Sequence, residues 1–276
     1  MSQLIQLKQR IKAIQSIKKI TETMRLIAMS SHSKLKKQAE QLRAFEKEIV
    51  PLMCALNHSE QQENHPIGDK KLFILFASEK GLCGSFNSTM FQAFDQNLKH
   101  LDTATFHVIT VGKKASVYAD QHGMHSIKQF HNALPNRLEI IAQDIYEMVM
   151  QIHTQYQSVQ CIFSNPKTFF HQEAIIQTII PVEQQSCNAD ETINIQHYEW
   201  IQPKQEVRQA LFNVLLKTSI LLIIAQSMLS EQSSRFLSMD NATNSATNLL
   251  KEMKITFNKI RQAKITRELI ELSSNF

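Results

Sequence analysis

The two ends of this chain lack the residues that break helices. Residues 1–50 and 204–276 contain neither glycine nor proline, and all five glycines lie between Gly68 and Gly123. Glycine and proline are the least favourable residues in a helix interior, so such long segments without either are typical of unbroken helices. The sequence therefore predicts two long terminal helices that flank an ordinary globular middle.

The apolar residues of the first segment recur at helical spacing. They follow three- and four-residue steps from Leu4 onward, pass through a three-residue slip at Ile17 and Ile20, and resume at Met24. Sustained spacing of this kind is typical of coiled-coil packing, and the slip would locally overwind the pair. Pro51 is expected to end or kink this helix.

A second series with the same spacing runs from Val207 to Ile270. At 1.5 Å per residue this helix would be on the order of 100 Å long, and it needs a partner to bury its stripe. The N-terminal helix is the obvious partner, and an antiparallel pair closes naturally because both helices flank one domain. The later members of the predicted stripe are Met239, Ala242, Ala246, Leu249, Met253, Thr256, Ile260, Ala263, Arg267 and Ile270.

The middle of the chain alternates between strand and helix patterns. The predicted strands are 70–78, 105–112, 159–166 and 173–182, and the predicted helices are 87–100, 113–121 and 137–155. This alternation predicts a small α/β domain with a partly parallel sheet. The expected division is a helix at 1–57, an α/β domain at 58–204 and a helix at 205–276.

Charge is unevenly distributed along the chain. The net charge is +7 over residues 1–57 and +3 over 205–276, against +5 for the whole protein, so the middle is acidic. Basic ends indicate an anionic partner there, or else helix faces that are simply solvated.

The four cysteines show no CxxC pairing, so we expect a reducing compartment and neither structural disulfides nor a metal site. The N-terminus lacks the pattern of a secretory signal. The most apolar window, Leu211 to Ser230, contains Asn213, Lys217 and Gln226 and falls short of a clean membrane span. We therefore expect a soluble chain.

The stretch "SEKGLCGSFN" is the main candidate for chemistry. A phosphate-binding GxxxxGK[ST] loop and a dinucleotide-binding GxGxxG are both absent, so no cofactor is predicted. A nucleophile elbow requires small residues two positions before and two positions after the nucleophile. Around Cys83 these positions hold Gly81 and Ser85, so the match is partial. A tight turn that needs its glycines is the simpler interpretation. A cysteine hydrolase and a basic nucleic-acid-binding protein stay open as alternatives.

Several stretches together resemble the gamma subunit of F-type ATP synthases. They are "RIKAIQSIKKITETMRLIAMSS", "SEKGLCGSFN", "SEQSSRFLSMDNATNSATNLL" and "FNKIRQAKITRELIEL", which occur in order and span essentially the whole chain. The resemblance implies an antiparallel coiled coil of the terminal helices plus a small Rossmann-like α/β domain. It also implies a non-catalytic rotor shaft that couples ion flow to ATP synthesis and hydrolysis at the beta subunits.

The resemblance also implies partners and a location. The coiled coil would sit inside a hexamer of alpha and beta subunits, and the domain would rest with the epsilon subunit on the c-ring. With no transit peptide before the first motif, we expect a bacterial source and a peripheral position on the cytoplasmic face of the inner membrane.

Residue by residue, the resemblance assigns three sets of positions. The expected beta-subunit contacts are Lys19, Thr21, Met24, Arg25, Gln232 and Arg235; the expected bearing-sleeve residues are Ala242, Ala246, Arg261, Gln262 and Thr266; the expected rotor-foot turn contains Gly81, Cys83 and Gly84. The sequence departs from the family pattern by "SEKGLCG" in place of "SDRGLCG" and in the Ser238–Leu250 region.

Overall fold

The structure, a computed structural model, describes residues 2–58, 68–99, 101–102, 105–181 and 200–274. By packing, the chain divides into two compact units. The first, which we call the helix-pair unit, comprises Met1–Met29 and Arg235–Phe276; the second, the sheet unit, comprises Ser30–Ser234. The three-segment division at 57/58 and 204/205 stays a prediction.

The described elements are five α-helices, five strands and two 3-10 helices, Pro135–Arg137 and His153–Gln155. The helices are α1 (Ser2–His58), α2 (Phe86–Leu98), α3 (Lys113–Gln121), α4 (Leu138–Ile152) and α5 (Lys204–Ser274). The strands are β1 (Lys70–Phe76), β2 (Phe106–Val111), β3 (Ser126–Phe130), β4 (Tyr156–Pro166) and β5 (Gln172–Ile180). The two long terminal helices are confirmed. His100 and Val182, the last residues of two predicted elements, lie outside the described residues.

The strands form one sheet in the order β3-β2-β1-β4-β5. The first four are parallel to one another, and β5 is antiparallel to β4. One face of the sheet packs against α1, α4 and α5, and the other face packs against α2 and α3. Helices on both faces explain why β1 is a continuous apolar run rather than an alternating one. The partly parallel α/β domain is therefore confirmed.

Strand β3 was not predicted. Its sequence, Ser126–Phe130, is only five residues long, and only Phe130 among them is buried. A short edge strand that faces partly to solvent carries no clear apolar alternation, so its pairing with β2 appears only in the tertiary structure.

Pro51 was expected to end or kink the first helix; the first alternative is wrong, because α1 continues through Pro51 to His58, and a kink there stays a prediction. Proline removes only one backbone donor from the helix. The turns beyond it are held by burial, since Met53 packs with Leu215 in one cluster and Leu56 packs beside Trp200 in another.

The predicted slip in the α1 stripe is also wrong. In the helix-pair unit, the side chains that are buried or half-buried along one face of α1 keep strict heptad spacing. They are Leu4, Leu7, Ile11, Ile14, Lys18, Thr21, Arg25 and Ala28. Ile20 and Ile27, which the prediction placed in the stripe, are 57% and 59% exposed. The error arose because polar residues occupy three seam positions while isoleucines occupy outward ones.

From Met239 to Ala263 the predicted α5 stripe is correct at every second position, and its last two members, Arg267 and Ile270, are wrong because both are exposed. The side chains of that face that are buried or half-buried are Met239, Thr243, Ala246, Leu250, Met253, Phe257, Ile260 and Lys264. The other four predicted members, Ala242, Leu249, Thr256 and Ala263, each lie one residue before the side chain that faces the seam. Leu249, for example, is 42% exposed. Neighbouring residues such as Leu249 and Leu250 are equally apolar, so the pattern alone could not choose between them.

The expectation of no disulfide is wrong for Cys54, which is disulfide-bonded. Cys83 and Cys161 are buried thiols, and burial raises the pKa of the Cys161 thiol. Cysteines far apart in the sequence can pair in space, which the spacing in a single sequence does not reveal.

Helix α5 is, among the described residues, the one helix long and apolar enough to cross a membrane. Of that apolar window, 61% is buried inside the protein. Its apolar side chains, including Leu216, Ile220 and Ile224, pack against the sheet. The core of the sheet unit thus accounts for the hydrophobicity of this stretch.

Candidate interaction surfaces

Polar residues join the two helices within the helix-pair unit. Arg25 Nη1 lies 2.5 Å from Asp240 Oδ1, and both side chains are about one-third exposed. The Thr243 hydroxyl lies 2.8 Å from Thr21 Oγ1 and 2.8 Å from the Met239 carbonyl. Thr21 pairs with Thr243 and the later Arg25 pairs with the earlier Asp240, so the two helices are antiparallel.

Small side chains surround these polar contacts. Ala28 is fully buried, and Thr21, Thr243 and Ala246 are buried as well. The distance between packed helices depends on the side chains at their contact. Helices that meet through such small side chains can pack more closely than helices that meet through leucine and isoleucine.

Large apolar side chains lie on the outer face of α1. Ile17, Ile20, Met24 and Ile27 follow 3-4-3 spacing, which places them on one face of a helix. The three isoleucines are exposed and Met24 is half-buried. We call these four residues the outward apolar row. A contiguous exposed apolar surface marks an interaction site in a soluble protein.

The last turns of α5 carry a second exposed apolar surface. Every described side chain from Ile265 to Ser273 is exposed, including Leu269, Ile270 and Leu272. The seam with α1 ends at Lys264. These turns bury no face within the helix-pair unit.

The predicted contact residues differ in how far their side chains are exposed. Lys19, Arg261, Gln262 and Thr266 are exposed; Met24, Arg25, Arg235 and Ala242 are half-buried; Thr21, Gln232 and Ala246 are buried. Gln232 alone among these belongs to the sheet unit. The pattern of apolar residues could have identified the outward apolar row, but the prediction had assigned its isoleucines to the seam. The contacts themselves stay predictions.

The connection from β1 to α2 is held together by side-chain hydrogen bonds. Asn87 accepts a hydrogen bond from the Ser78 N–H at 3.0 Å and donates to Ser78 Oγ at 2.8 Å. Its Nδ2 also lies 3.3 Å from Cys83 Sγ. Cys83 is 2% exposed and packs in the core beneath α2. Reactive cysteines lie in partially exposed sites, so this thiol has the burial of a structural residue.

Glu79 ties the same connection to its neighbours. Its Oε2 accepts hydrogen bonds from the backbone N–H of Lys113 at 3.2 Å and of Ala133 at 3.3 Å. Lys113 is the first residue of α3, where a carboxylate satisfies an unpaired donor and complements the helix dipole. The acidic residue of "SEKGLCG" therefore has an architectural role.

The glycines of the connection differ in what they require. Gly84 has φ +57°, in the left-handed region. The expectation that both glycines meet a backbone need is wrong for Gly81, where an added Cβ would find nothing within 4 Å. The left-handed residue beside it is Leu82, at φ +65°. Sequence analysis missed Gly112, whose φ is +93° and whose added Cβ would lie 2.1 Å from the Ala77 carbonyl oxygen.

Comparison with known proteins agrees with these features. A family model described as "ATP synthase" matches residues 3–276. The chain is 30% identical to the ATP synthase gamma chain of Clostridium acetobutylicum, over 98% of this chain and 95% of that protein. It is 29% identical to the ATP synthase gamma chain of Rickettsia akari, over 99% and 98%.

Solved structures share the fold. A chain from the Euglena gracilis mitochondrial ATP synthase, in an OSCP/F1/c-ring structure, aligns with a TM-score of 0.70 at 17% identity. The alignment covers 99% of this chain and 93% of that one. The family model matches residues 3–276 and a gamma chain is 30% identical over 98% of this chain, so the chain belongs to the ATP synthase gamma-chain family.

Proposed function

We propose that this chain is the central rotor shaft of a bacterial F-type ATP synthase and has no catalytic site of its own. The observation that carries the proposal is the helix-pair unit, which consists of two antiparallel helices with large apolar side chains on their outer surface. Two helices that leave so much apolar surface in water call for a surrounding partner. Family membership over residues 3–276 identifies that partner as the ATP synthase.

In this role the helix pair turns inside a hexamer of alpha and beta subunits, while the sheet unit rests with the epsilon subunit on the c-ring. Ion flow through the membrane turns the ring and the shaft together. The shaft presents different side chains in different directions, so each beta subunit meets a different contact surface in turn. Such differential contacts are what shift a bistable partner between open and closed states.

The proposed contact residues divide by mechanism. Lys19 and the outward apolar row lie on the outside of α1 and are available to a beta subunit. Thr21 and Arg25 bond to α5 and would act through the position of the partner helix. Gln232 and Arg235 remain the proposed contacts with a beta-subunit loop, and Arg261, Gln262 and Thr266 the proposed contacts with the bearing sleeve.

We place the complex at the cytoplasmic face of the bacterial cell membrane, with this chain peripheral to it. Bacterial relatives at 30% and 29% identity support that location. The net charge of +7 on residues 1–57 fits a surface that meets acidic loops of a partner.

Reconstitution tests the proposal. The purified chain is mixed with alpha and beta subunits from the same organism, and ATP hydrolysis and rotation of an attached bead are recorded. We expect no hydrolysis by the chain alone and ATP-driven rotation of the assembled complex. ATP hydrolysis by the pure chain, with contaminating beta subunit excluded by immunoblot, would contradict a non-catalytic shaft.

The outward apolar row can be tested separately. Ile20→Gln with Ile27→Gln should leave the thermal midpoint of the isolated chain nearly unchanged, because exposed substitutions usually alter stability by about 0.5 kcal/mol or less. ATP synthesis by the reassembled complex should fall. Lys12→Gln, also exposed on α1, is the matched control. Normal coupled synthesis in the double variant would remove the row from the contact surface.

A further inference from the structure

Basic side chains converge at the edge of the sheet where its parallel strands begin. Lys70 opens β1, His107 is the second residue of β2, and His125 directly precedes β3. Lys70 Nζ lies 3.4 Å from His107 Nε2, and the rings of His107 and His125 are 4.6 Å apart. The topology gathers these residues because parallel strands start at the same edge.

Tyr156 holds His107 in place. It opens β4, on the far side of β1 from β2, and its hydroxyl lies 2.7 Å from His107 Nδ1. The Tyr156 side chain is 6% exposed and belongs to the core of the sheet unit. When Lys70 donates to Nε2, Nδ1 carries the proton and donates to the tyrosine hydroxyl. The imidazole therefore has a defined orientation.

The charges that face His107 are of one sign. Burial, Lys70 and His125 together hold the pKa of His107 below its usual value, and burial raises the pKa of Tyr156 on the fourth strand. If His107 gains a proton at Nε2, two donors face each other across 3.4 Å. An acceptor oxygen within hydrogen-bond distance of both nitrogen atoms would satisfy both donors and offset their repulsion.

We propose that Lys70, His107 and His125 form a binding site for a phosphate group, positioned by Tyr156. A dianionic phosphate presents several acceptor oxygens to these donors and favours the charged form of His107. Binding is therefore coupled to proton uptake and strengthens as the pH falls towards 6. The same chemistry is offered by free inorganic phosphate and by the monoester headgroup of phosphatidic acid. The site does not depend on the proposed function.

Isothermal titration of the full chain with inorganic phosphate tests the site, at constant ionic strength and at pH 6 and pH 8. We expect tighter binding at pH 6, and titrations in two buffers of different ionisation enthalpy should report proton uptake. Lys70→Met should weaken binding by about tenfold or more, the usual effect of losing one charge-assisted hydrogen bond. His107→Gln should also abolish the proton uptake, an effect that a purely structural role would not produce.

Matched controls separate the site from general surface charge. Lys71→Met removes the same charge one residue along β1, where strand alternation turns the side chain to the other face of the sheet. His131→Gln removes an exposed histidine elsewhere. Both variants should bind like the unmodified chain, and circular dichroism verifies that every variant is folded.

Vesicle sedimentation distinguishes the two sources of phosphate. Phosphatidylcholine vesicles are compared with vesicles that also contain phosphatidic acid or phosphatidylglycerol. Binding to phosphatidic acid alone assigns the site to a monoester headgroup, and binding to free phosphate without vesicle binding assigns it to a soluble anion. Absence of binding in both assays, equal loss in Lys70→Met and Lys71→Met, or equal binding to both anionic lipids would overturn the proposal.

Discussion

At the residue scale, Gly112 combines two backbone requirements, a positive φ and a close approach to another segment. Its φ of +93° is unfavourable for other residues, and its added Cβ would lie 2.1 Å from a carbonyl oxygen. This close approach brings the start of α3 against the end of β1, where Lys114 N–H donates to the Ser78 carbonyl at 3.1 Å. The "GLCG" motif is rich in glycine, yet Gly112, which has both a positive φ and a close contact, lies outside it.

Gly112→Ala should therefore destabilise the sheet unit. The left-handed backbone alone costs an alanine about 1–2 kcal/mol, and the clash with Ala77 adds to this. Gly81→Ala, on the same side of the sheet unit, should be neutral or stabilising by up to about 1 kcal/mol, because it restricts the unfolded chain and meets open space. Thermal unfolding of the two variants, followed by circular dichroism, checks the contrast. Equal losses would contradict it.

His32 makes the stability of the sheet unit dependent on pH. Its ring packs edge-on against Phe169 at 4.9 Å, and burial, together with the charge of Lys36, lowers its pKa from the usual 6.5. A histidine with a lowered folded-state pKa binds protons more weakly when folded than when unfolded. Its contribution to stability is thus fully present above pH 6.5 and is lost as the pH falls below that value.

We expect the thermal midpoint to fall between pH 7.5 and pH 5.5, and to fall less in His32→Gln. His131→Gln, at an exposed position, should retain the full pH dependence. Identical pH profiles for His32→Gln and the unmodified chain would show that His32 is not the group responsible.

At the scale of elements, polar residues define the register of the helix pair. Lys18, Thr21 and Arg25 occupy seam positions where a coiled coil usually carries apolar side chains. Polar residues at such positions disfavour other registers, because a shifted partner leaves them unpaired. The isoleucines of this segment lie outside the seam, in the outward apolar row. The placement of polar and apolar residues on α1 thus sets both the register of the pair and its exposed surface.

A double-mutant cycle on Arg25→Met and Asp240→Asn measures the coupling energy between these two side chains. Partly exposed ion pairs contribute about 0.2–1 kcal/mol, and we expect a coupling in that range that weakens with salt. The pair Lys18 and Glu22, 3.7 Å apart on α1 alone, is the control. Its coupling should survive in a peptide of α1, whereas the coupling of Arg25 to Asp240 requires both helices. Zero coupling between Arg25 and Asp240 would argue against a register role.

At the scale of the whole molecule, added bulk should affect function in the section of the helix pair that contains Ala242 and Ala246. Ala242 is half-buried and Ala246 is buried. Ala242→Trp adds bulk towards the outside, so the isolated chain should stay folded, but rotation inside a close-fitting sleeve should be blocked. ATP-driven rotation and ATP synthesis by the reassembled complex measure the effect.

Ala246→Trp is the matched comparison. It should already weaken the isolated helix pair, because overpacking a buried position costs typically 1–3 kcal/mol. Unimpaired coupled turnover in Ala242→Trp would reject the sleeve contact at that position.

The sequence by itself determined the two long helices, the α/β middle and the family. These features follow from local signals: the absence of helix breakers over residues 1–50 and 204–276, the alternation of apolar runs, and motifs that are contiguous in the chain. Local signals need no knowledge of which segments meet in space.

Only the tertiary structure decided which side of each helix is buried. Ile20 is apolar but faces outward, whereas Arg25 is charged but belongs to the seam, because its partner Asp240 lies 215 residues away in the chain. The same holds for strand β3, which exists through its pairing with β2, and for the gathering of Lys70, His107 and Tyr156 at one sheet edge. Burial and pairing depend on contacts between distant segments, and a pattern along one chain does not contain those contacts.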